Sequence, residues 1–161
     1  MPAIGIRHIR VRKGRLDIEA AYALQCLHVS GACAQRICNA LPNLPNHLCI
    51  NKNDNPRFGD EIVGTELAHL LEHVMIELQG QAYKGIEPMP RFIGHTSWLE
   101  ELAVTRPQGI ALMRTTVTFA DDIVGLQALK EAVALVEWSL DDDSEQMPDI
   151  QAALTRIRST M

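Results

Sequence analysis

The sequence lacks the apolar stretches of membrane spans and secretion signals, and it lacks the cysteine pairs of zinc-binding or redox motifs. No apolar run approaches the roughly 18 residues that span a bilayer, and the opening segment MPAIGIRHIRVRKGR is charged and alternating. No CxxC pair occurs among the four cysteines, Cys26, Cys33, Cys38 and Cys49. We therefore expect a cytoplasmic protein that neither spans nor binds a membrane, with cysteines that are reduced, structural thiols.

A surplus of positive charge is also missing. The chain has 15 basic against 20 acidic residues, which gives a formal net charge of -5. No general electrostatic attraction draws such a protein to nucleic acid or to anionic lipid, and a basic partner suits it better. Its 161 residues, 47 % hydrophobic and 22 % charged, predict one globular domain over residues 1–161.

The first half of the chain predicts a hairpin followed by a helix. Ile4, Ile6 and Val11 alternate with polar residues, and a Lys13-Gly14 turn leads into a second short strand, RLDIE. The later elements are a helix from an N-cap at Ser30 to Pro42, a possible strand at HLCI from His47, and a surface loop at NKNDNPRFGDE from Asn51.

The second half predicts one clear strand and two helices. Ile110 to Phe119 gathers β-branched and apolar residues, which is typical of a strand. Asp121 to Leu140 repeats apolar residues at helical spacing, and a short amphipathic helix starts at Pro148. Together these elements predict an α+β fold, in which helices pack on an antiparallel or mixed sheet.

The segment GTELAHLLEHVMIELQG, Gly64 to Gly80, predicts the central helix, with Thr65 as N-cap and Gly80 just past the end. Its ionisable residues fall within an arc of about 140° and its apolar residues fill the opposite arc. We expect the apolar side to pack on the sheet through Leu67, Leu70, Leu71, Val74 and Leu78. The pattern alone also fits an ordinary helix with a solvated polar stripe.

The polar side of this helix carries the sequence His69-Leu70-Leu71-Glu72-His73. Two histidines one turn apart can direct one ring nitrogen each at a zinc ion about 2 Å away. This is the H-x-x-E-H order of the inverted zinc peptidases, in which the glutamate is the general base. The motif predicts His69 and His73 as metal ligands and Glu72 as the catalytic base.

A zinc site needs a third protein ligand, and the sequence leaves several candidates. Glu77 lies on the same face as His69 but about 12 Å further along the axis, so we expect it to orient a ligand imidazole or to contact substrate. Glu131 and Glu137 fall on the later helix, where the inverted zinc peptidases carry their third ligand. His47 or an unrecognised residue is a further alternative.

The chain resembles the N-terminal domain of cyanophycin synthetase, which makes an aspartate-arginine polymer. The resemblance is carried by RLDIE, LPNLPNHLC, GTELAHLLEHVMIELQ and TTVTFADDIVGLQALKEAVALVEW, which together span nearly the whole chain. A Gly-Arg-Thr-Arg stretch of the synthetases corresponds here to GHTSW from Gly94, and an acidic residue of their late strand corresponds to Thr118. These 161 residues hold no counterpart of the two ATP-grasp and ligase-type domains, so we expect no ATP-dependent polymerisation.

The resemblance implies an α+β fold related to the inverted zinc peptidases and to S-ribosylhomocysteine lyase. It also implies a role in binding or trimming a peptide-like polymer, and it places His47, His69, Glu72, His73 and Glu77 in the site. We expect zinc as cofactor and a peptide-like polymer or small peptide as substrate.

The leading functional hypothesis is a zinc-dependent hydrolase of amide or isopeptide bonds. A binding module without turnover, for a polymer or a partner protein, is the alternative from another class. A lyase or isomerase that uses the same residues is a third reading, since related folds host more than one chemistry.

Overall fold

The computed structural model describes residues 2–49, 57–99 and 109–161. In these ranges four strands form one antiparallel sheet and four α-helices pack around it. The strands are β1 (Ile4–Arg12), β2 (Arg15–Ala23), β3 (Gly94–Trp98) and β4 (Ile110–Thr118). The helices are α1 (Gly31–Ala40), α2 (Leu67–Ala82), α3 (Asp122–Leu140) and α4 (Ile150–Arg158). The predicted α+β class is confirmed, and the sheet is antiparallel throughout.

The sheet has the order β1-β2-β4-β3. The predicted hairpin is confirmed: β1 and β2 are joined at Lys13-Gly14, where Gly14 has a φ of 77° that favours glycine. β2 pairs with β4 along the full length of both strands, so that Ile18 lies opposite Thr115. Two segments distant in the chain thereby form the centre of the sheet, and β3 lies at its edge beside β4.

The helices begin where the sequence supplies a capping side chain. Ser30 accepts from the N–H of Cys33 at the start of α1, as predicted, and Asp121 accepts from the N–H groups of Ile123 and Val124 at the start of α3. Asp149 caps α4 in the same way. These three helices lie within a few residues of their predicted limits.

Helix α2 departs from its predicted ends. Its N-cap position is Glu66, whose side chain makes no capping hydrogen bond. The predicted N-cap, Thr65, lies one residue earlier, and its hydroxyl contacts His69. Gly80 lies inside the helix, which continues to Ala82. The body of the helix is as predicted: the five residues expected to pack on the sheet, Leu67, Leu70, Leu71, Val74 and Leu78, are fully buried. They join the core between the sheet and α3.

Two local elements differ from what the sequence indicates. The HLCI segment forms no strand in the described residues, since Leu48 makes only an isolated bridge with Arg57; Ile50 lies outside the described residues. Residues 51–56 of the predicted surface loop also lie outside the described residues. The described remainder of that loop includes one turn of 3₁₀ helix at Phe58–Asp60. β3 was missed altogether, because the sequence GHTSW has no apolar alternation to mark a strand.

None of the described helices is both long and apolar enough to cross a membrane.

Candidate metal centre and cleft

The polar side of α2 is buried, not solvated. His69, Glu72, His73 and Glu77 are each no more than 9 % exposed. They are covered by the segment from His47 to Cys49, by the turn at Phe58–Asp60 and by β3. Buried ionisable groups need specific partners, so this side of the helix is a site and not a surface.

Three donor atoms converge at the centre of this site. Nε2 of His69 lies 3.2 Å from Nε2 of His73 and 3.4 Å from Sγ of Cys49. The three residues are buried, and their ligand atoms all lie within 4.8 Å of one another. Two nitrogens on a tetrahedral zinc ion stand about 3.3 Å apart, and a nitrogen and a thiolate sulfur about 3.5 Å. The two spacings from Nε2 of His69 therefore match what one small cation would require.

The donor set also fits zinc chemically. Imidazole nitrogen and cysteine sulfur are ligands that zinc prefers, and three protein ligands are the usual number where a fourth position stays open for chemistry. Without a cation, burial and the Glu61 carboxylate, which accepts a hydrogen bond from the thiol, raise the pKa of Cys49 to about 12. A coordinating thiol loses its proton outright, so cation binding reverses this preference.

Both histidines are held so that their Nε2 atoms face the centre. Nδ1 of His69 lies 2.8 Å from the Thr65 hydroxyl, and Nδ1 of His73 lies 3.1 Å from Nδ1 of His47. The ring of Phe58 stacks on His73 with centroids 3.9 Å apart. Burial, together with the neighbouring His69 and His47, lowers the pKa of His73 to about 2. His73 is therefore neutral, which is the form that binds metal.

Glu77 is connected to the centre through His47. The carboxylate accepts from Nε2 of His47 at 2.5 Å and from the Gln81 amide at 2.6 Å. Burial alone would raise the pKa of Glu77, but the bonds from His47 and Gln81 outweigh it and hold the pKa below its ordinary value. Since a carboxylate only accepts, a neutral His47 must offer its Nδ1 to the N–H of His73, which leaves Nε2 of His73 free for a cation.

Glu72 lies beside the three donors and faces β3. Its Oε2 accepts a hydrogen bond of 2.6 Å from the Thr96 hydroxyl. Burial raises the pKa of Glu72 to about 7, although the bond from Thr96 partly offsets the rise. A carboxyl group whose pKa lies near 7 can both accept and return a proton at physiological pH.

An open cleft of about 1120 Å³ is lined by His47, Cys49, His69, Glu72 and His73. One wall is the segment from Asp60 to Glu66, and the other is formed by Arg91 to Thr96 and Trp98. The cleft is larger than a typical small-molecule pocket of about 300–1,000 Å³. It has room for a segment of a polymer.

The structure places each predicted site residue in or behind this cleft. His69, His73 and Glu72 line it with His47, whereas Glu77 lies behind His47. Neither candidate third ligand on α3 lies in the cleft: Glu131 forms a bidentate pair with Arg156, and Glu137 accepts from the N–H groups of Ala3 and Ile4. Both carboxylates are held by partners outside the cleft.

The third donor is Cys49, which sequence reasoning had placed among the structural thiols. All four cysteines are free. The signal that could have identified Cys49 is its position two residues after His47, because both side chains then reach the face of α2 that carries the motif. His95 and Arg91 line the wall of the cleft that is formed by Arg91 to Thr96 and Trp98.

The fold and the site together define an α+β protein with a buried Cys/His/His group that could hold a metal ion. Residues 14–140 match the family described as the cyanophycin synthase-like N-terminal domain, and the chain belongs to that family. The matched range runs from Gly14, in the turn before β2, to the end of α3 and includes every residue of the site. No curated protein matches the chain.

Proposed function

We propose that this protein is a zinc-dependent hydrolase of amide or isopeptide bonds in a peptide-like polymer. The observation that carries the proposal is the placement of Glu72 in the same cleft as the donor atoms of Cys49, His69 and His73. Membership of a family named after a polymer-forming enzyme supports a polymer as the substrate class.

Each group has a distinct role in this proposal. When bound, zinc supplies a Lewis acid for the scissile carbonyl and lowers the pKa of water towards neutrality. Glu72 accepts the proton of the attacking water and passes it to the leaving amine, for which a pKa near 7 is suited. Thr96 holds the carboxyl group in place through its hydroxyl. Thr65 and His47 orient the two imidazoles, and Glu77 orients His47.

The test compares wild type with Glu72→Gln, a change that keeps the shape of the side chain but removes its ability to accept a proton. Untagged proteins are incubated with zinc and either an aspartate-arginine polymer or a panel of isopeptides, and released amines are followed. Turnover should fall by roughly 10²-fold or more while zinc content is retained.

Glu131→Gln is the matched control, because it removes another buried carboxylate that lies outside the cleft. Its turnover should equal that of wild type. Undiminished cleavage by Glu72→Gln would reject Glu72 as the base. If wild type binds the polymer but cleaves nothing across the panel, the protein is a binding module and the proposed hydrolysis is wrong.

A further inference from the structure

Strand β3 lies at the edge of the sheet. It pairs with β4 on one side, and in the described residues no strand pairs with its other side. An unpaired edge presents main-chain donors and acceptors that can bind another strand. The position of this edge relative to the cleft indicates which kind of molecule could pair with it.

The hydrogen bonds at the two ends of β3 show which residues face outward. The N–H of Thr118 donates to the carbonyl of Ile93, and the N–H of Leu99 donates to the carbonyl of Leu112. Since main-chain groups alternate along a strand, the odd-numbered residues of β3 face β4. The N–H and C=O groups of Gly94, Thr96 and Trp98 therefore point away from β4.

The same three residues line the cleft. Thr96 donates to Glu72, and the Cβ that a side chain would place at Gly94 lies 2.5 Å from Cγ of Glu72. A strand that lies along β3 would therefore pass directly beside Glu72 and the group that could hold a metal. Ile93 and Trp98 are 61 % and 42 % exposed, and such a strand would cover them.

The charge of the opposite wall indicates which side chains the added strand would carry. Asp60, Glu61 and Glu66 line that wall, whereas Arg91 is the one lysine or arginine among the described residues of the cleft. The negative charge attracts basic side chains and repels acidic ones.

We propose that an extended peptide with basic side chains binds in the cleft as an added strand alongside β3. Its main chain pairs with the outward groups of Gly94, Thr96 and Trp98, and its basic side chains reach the Asp60 to Glu66 wall. This mode gives affinity through the main chain and selectivity through the side chains. It rests on the proposed function, since it treats the cleft as the place where substrate binds.

The first test uses hydroxamates, whose end group binds zinc, on the zinc-loaded protein. The probes are acetohydroxamate, Ac-Arg-Ala-Arg-Ala-NHOH and its counterpart with glutamine in place of arginine. The arginine peptide should bind at least about tenfold more tightly than acetohydroxamate, through several main-chain hydrogen bonds, and more tightly than the glutamine peptide. Equal affinity of all three for the zinc-loaded protein would overturn the proposal and leave the metal site intact.

A set of N-methylated arginine peptides then tests the strand pairing itself. In an added strand only alternate N–H groups face β3, so methylation should remove the gain in affinity at every second position and leave it at the others. Methylation tolerated at every position would contradict pairing with an edge strand. On the protein side, Trp98→Pro removes an outward N–H, so this variant should bind the arginine peptide no more tightly than acetohydroxamate. Trp98→Val retains that N–H and should still bind the arginine peptide more tightly.

Hydrogen exchange provides a readout that needs neither metal nor activity. With a chelator present and millimolar Ac-Arg-Ala-Arg-Ala-NH₂, the amides of Thr96 and Trp98 should exchange more slowly than in the free protein. Those of His95 and Ser97 already donate within the sheet and should change little. If the protein proves to bind no zinc, the proposed function fails while this experiment still decides the peptide site. If the amides of Thr96 and Trp98 exchange at an unchanged rate at saturating peptide, the proposed peptide site is rejected.

Discussion

Gly94 on β3 lies directly against Glu72 on α2. A methyl group at Gly94 would stand 2.5 Å from Cγ and 2.8 Å from Oε1 of Glu72, closer than real Cβ contacts allow. The absence of a side chain at this position is what lets the carboxyl group lie between the helix and the edge strand, within reach of Thr96. A glycine on the strand thus sets the position of the proposed base.

Gly94→Ala should therefore displace the Glu72 side chain while the donor atoms of Cys49, His69 and His73 stay in place. We expect turnover to fall by about tenfold or more, because general base catalysis requires hydrogen-bond reach, with zinc affinity nearly unchanged. Gly31→Ala, at the start of α1 where an added Cβ meets no atom within 4 Å, is a control for the effect of alanine on folding and should keep full turnover. Equal turnover of Gly94→Ala and wild type would show that the contact has no catalytic importance.

Cys49→Ala should remove the sulfur donor and leave the two histidines. We expect the affinity for zinc to fall by more than about 100-fold, since even the loss of a residue behind the ligands costs 10–100-fold. Cobalt-substituted wild type should show the near-ultraviolet charge-transfer band of a thiolate ligand, and the variant should lack it. Cys38→Ala, which removes a thiol of α1, should retain the band. A band that persists in Cys49→Ala would exclude this cysteine as a ligand.

Glu77→Gln should weaken metal binding without touching a donor atom. The neutral amide is a poorer acceptor for the N–H of His47, so His47 no longer holds His73 in one tautomer. The expected loss in zinc affinity is about tenfold, measured by competition with a chelator. Glu131→Gln loses a carboxylate that pairs with Arg156 and should bind zinc as wild type does. A similar loss in both variants would point to general destabilisation instead.

The Glu131–Arg156 pair predicts a pH dependence of stability. The hydrogen bonds from Arg156 hold the pKa of Glu131 below its ordinary value. The pair therefore stabilises the folded state at pH values above the ordinary pKa of a glutamate. The stabilisation is lost as pH falls through the lowered pKa of the folded state. Between about pH 6 and pH 3.5, with a chelator present, the Tm of wild type should therefore fall further than that of Glu131→Gln. Parallel curves would show that the pair adds no pH-dependent stability.

The elements that the sequence predicts well are those with their own local pattern. β1 and β2 alternate around a turn glycine, α1 and α3 begin at capping side chains, and β4 gathers β-branched residues. Each of these signals depends on near neighbours in the chain. They were sufficient for the fold class and for the face of α2 that enters the core.

The errors concern groups whose roles depend on distant residues. Thr65 looks like an N-cap, yet its hydroxyl contacts His69 once the site is formed. Cys49 looks like a small hydrophobe until the chain brings it to α2. The polar side of α2 looks solvated because no local pattern shows that β3 covers it. Spacing could identify His69, Glu72 and His73 as a group, whereas Cys49 was signalled only indirectly, by its position two residues after His47.

The central claim is that Cys49, His69 and His73 hold one zinc ion. Its most direct test is elemental analysis of untagged protein, followed by zinc titration of metal-free protein and of a His69→Ala/His73→Ala variant. We predict close to one equivalent of zinc per chain in wild type and almost none in the variant. The variant should remain folded, since the buried apolar side of α2 is untouched. Well under one equivalent in wild type, with no uptake on titration, would contradict the account.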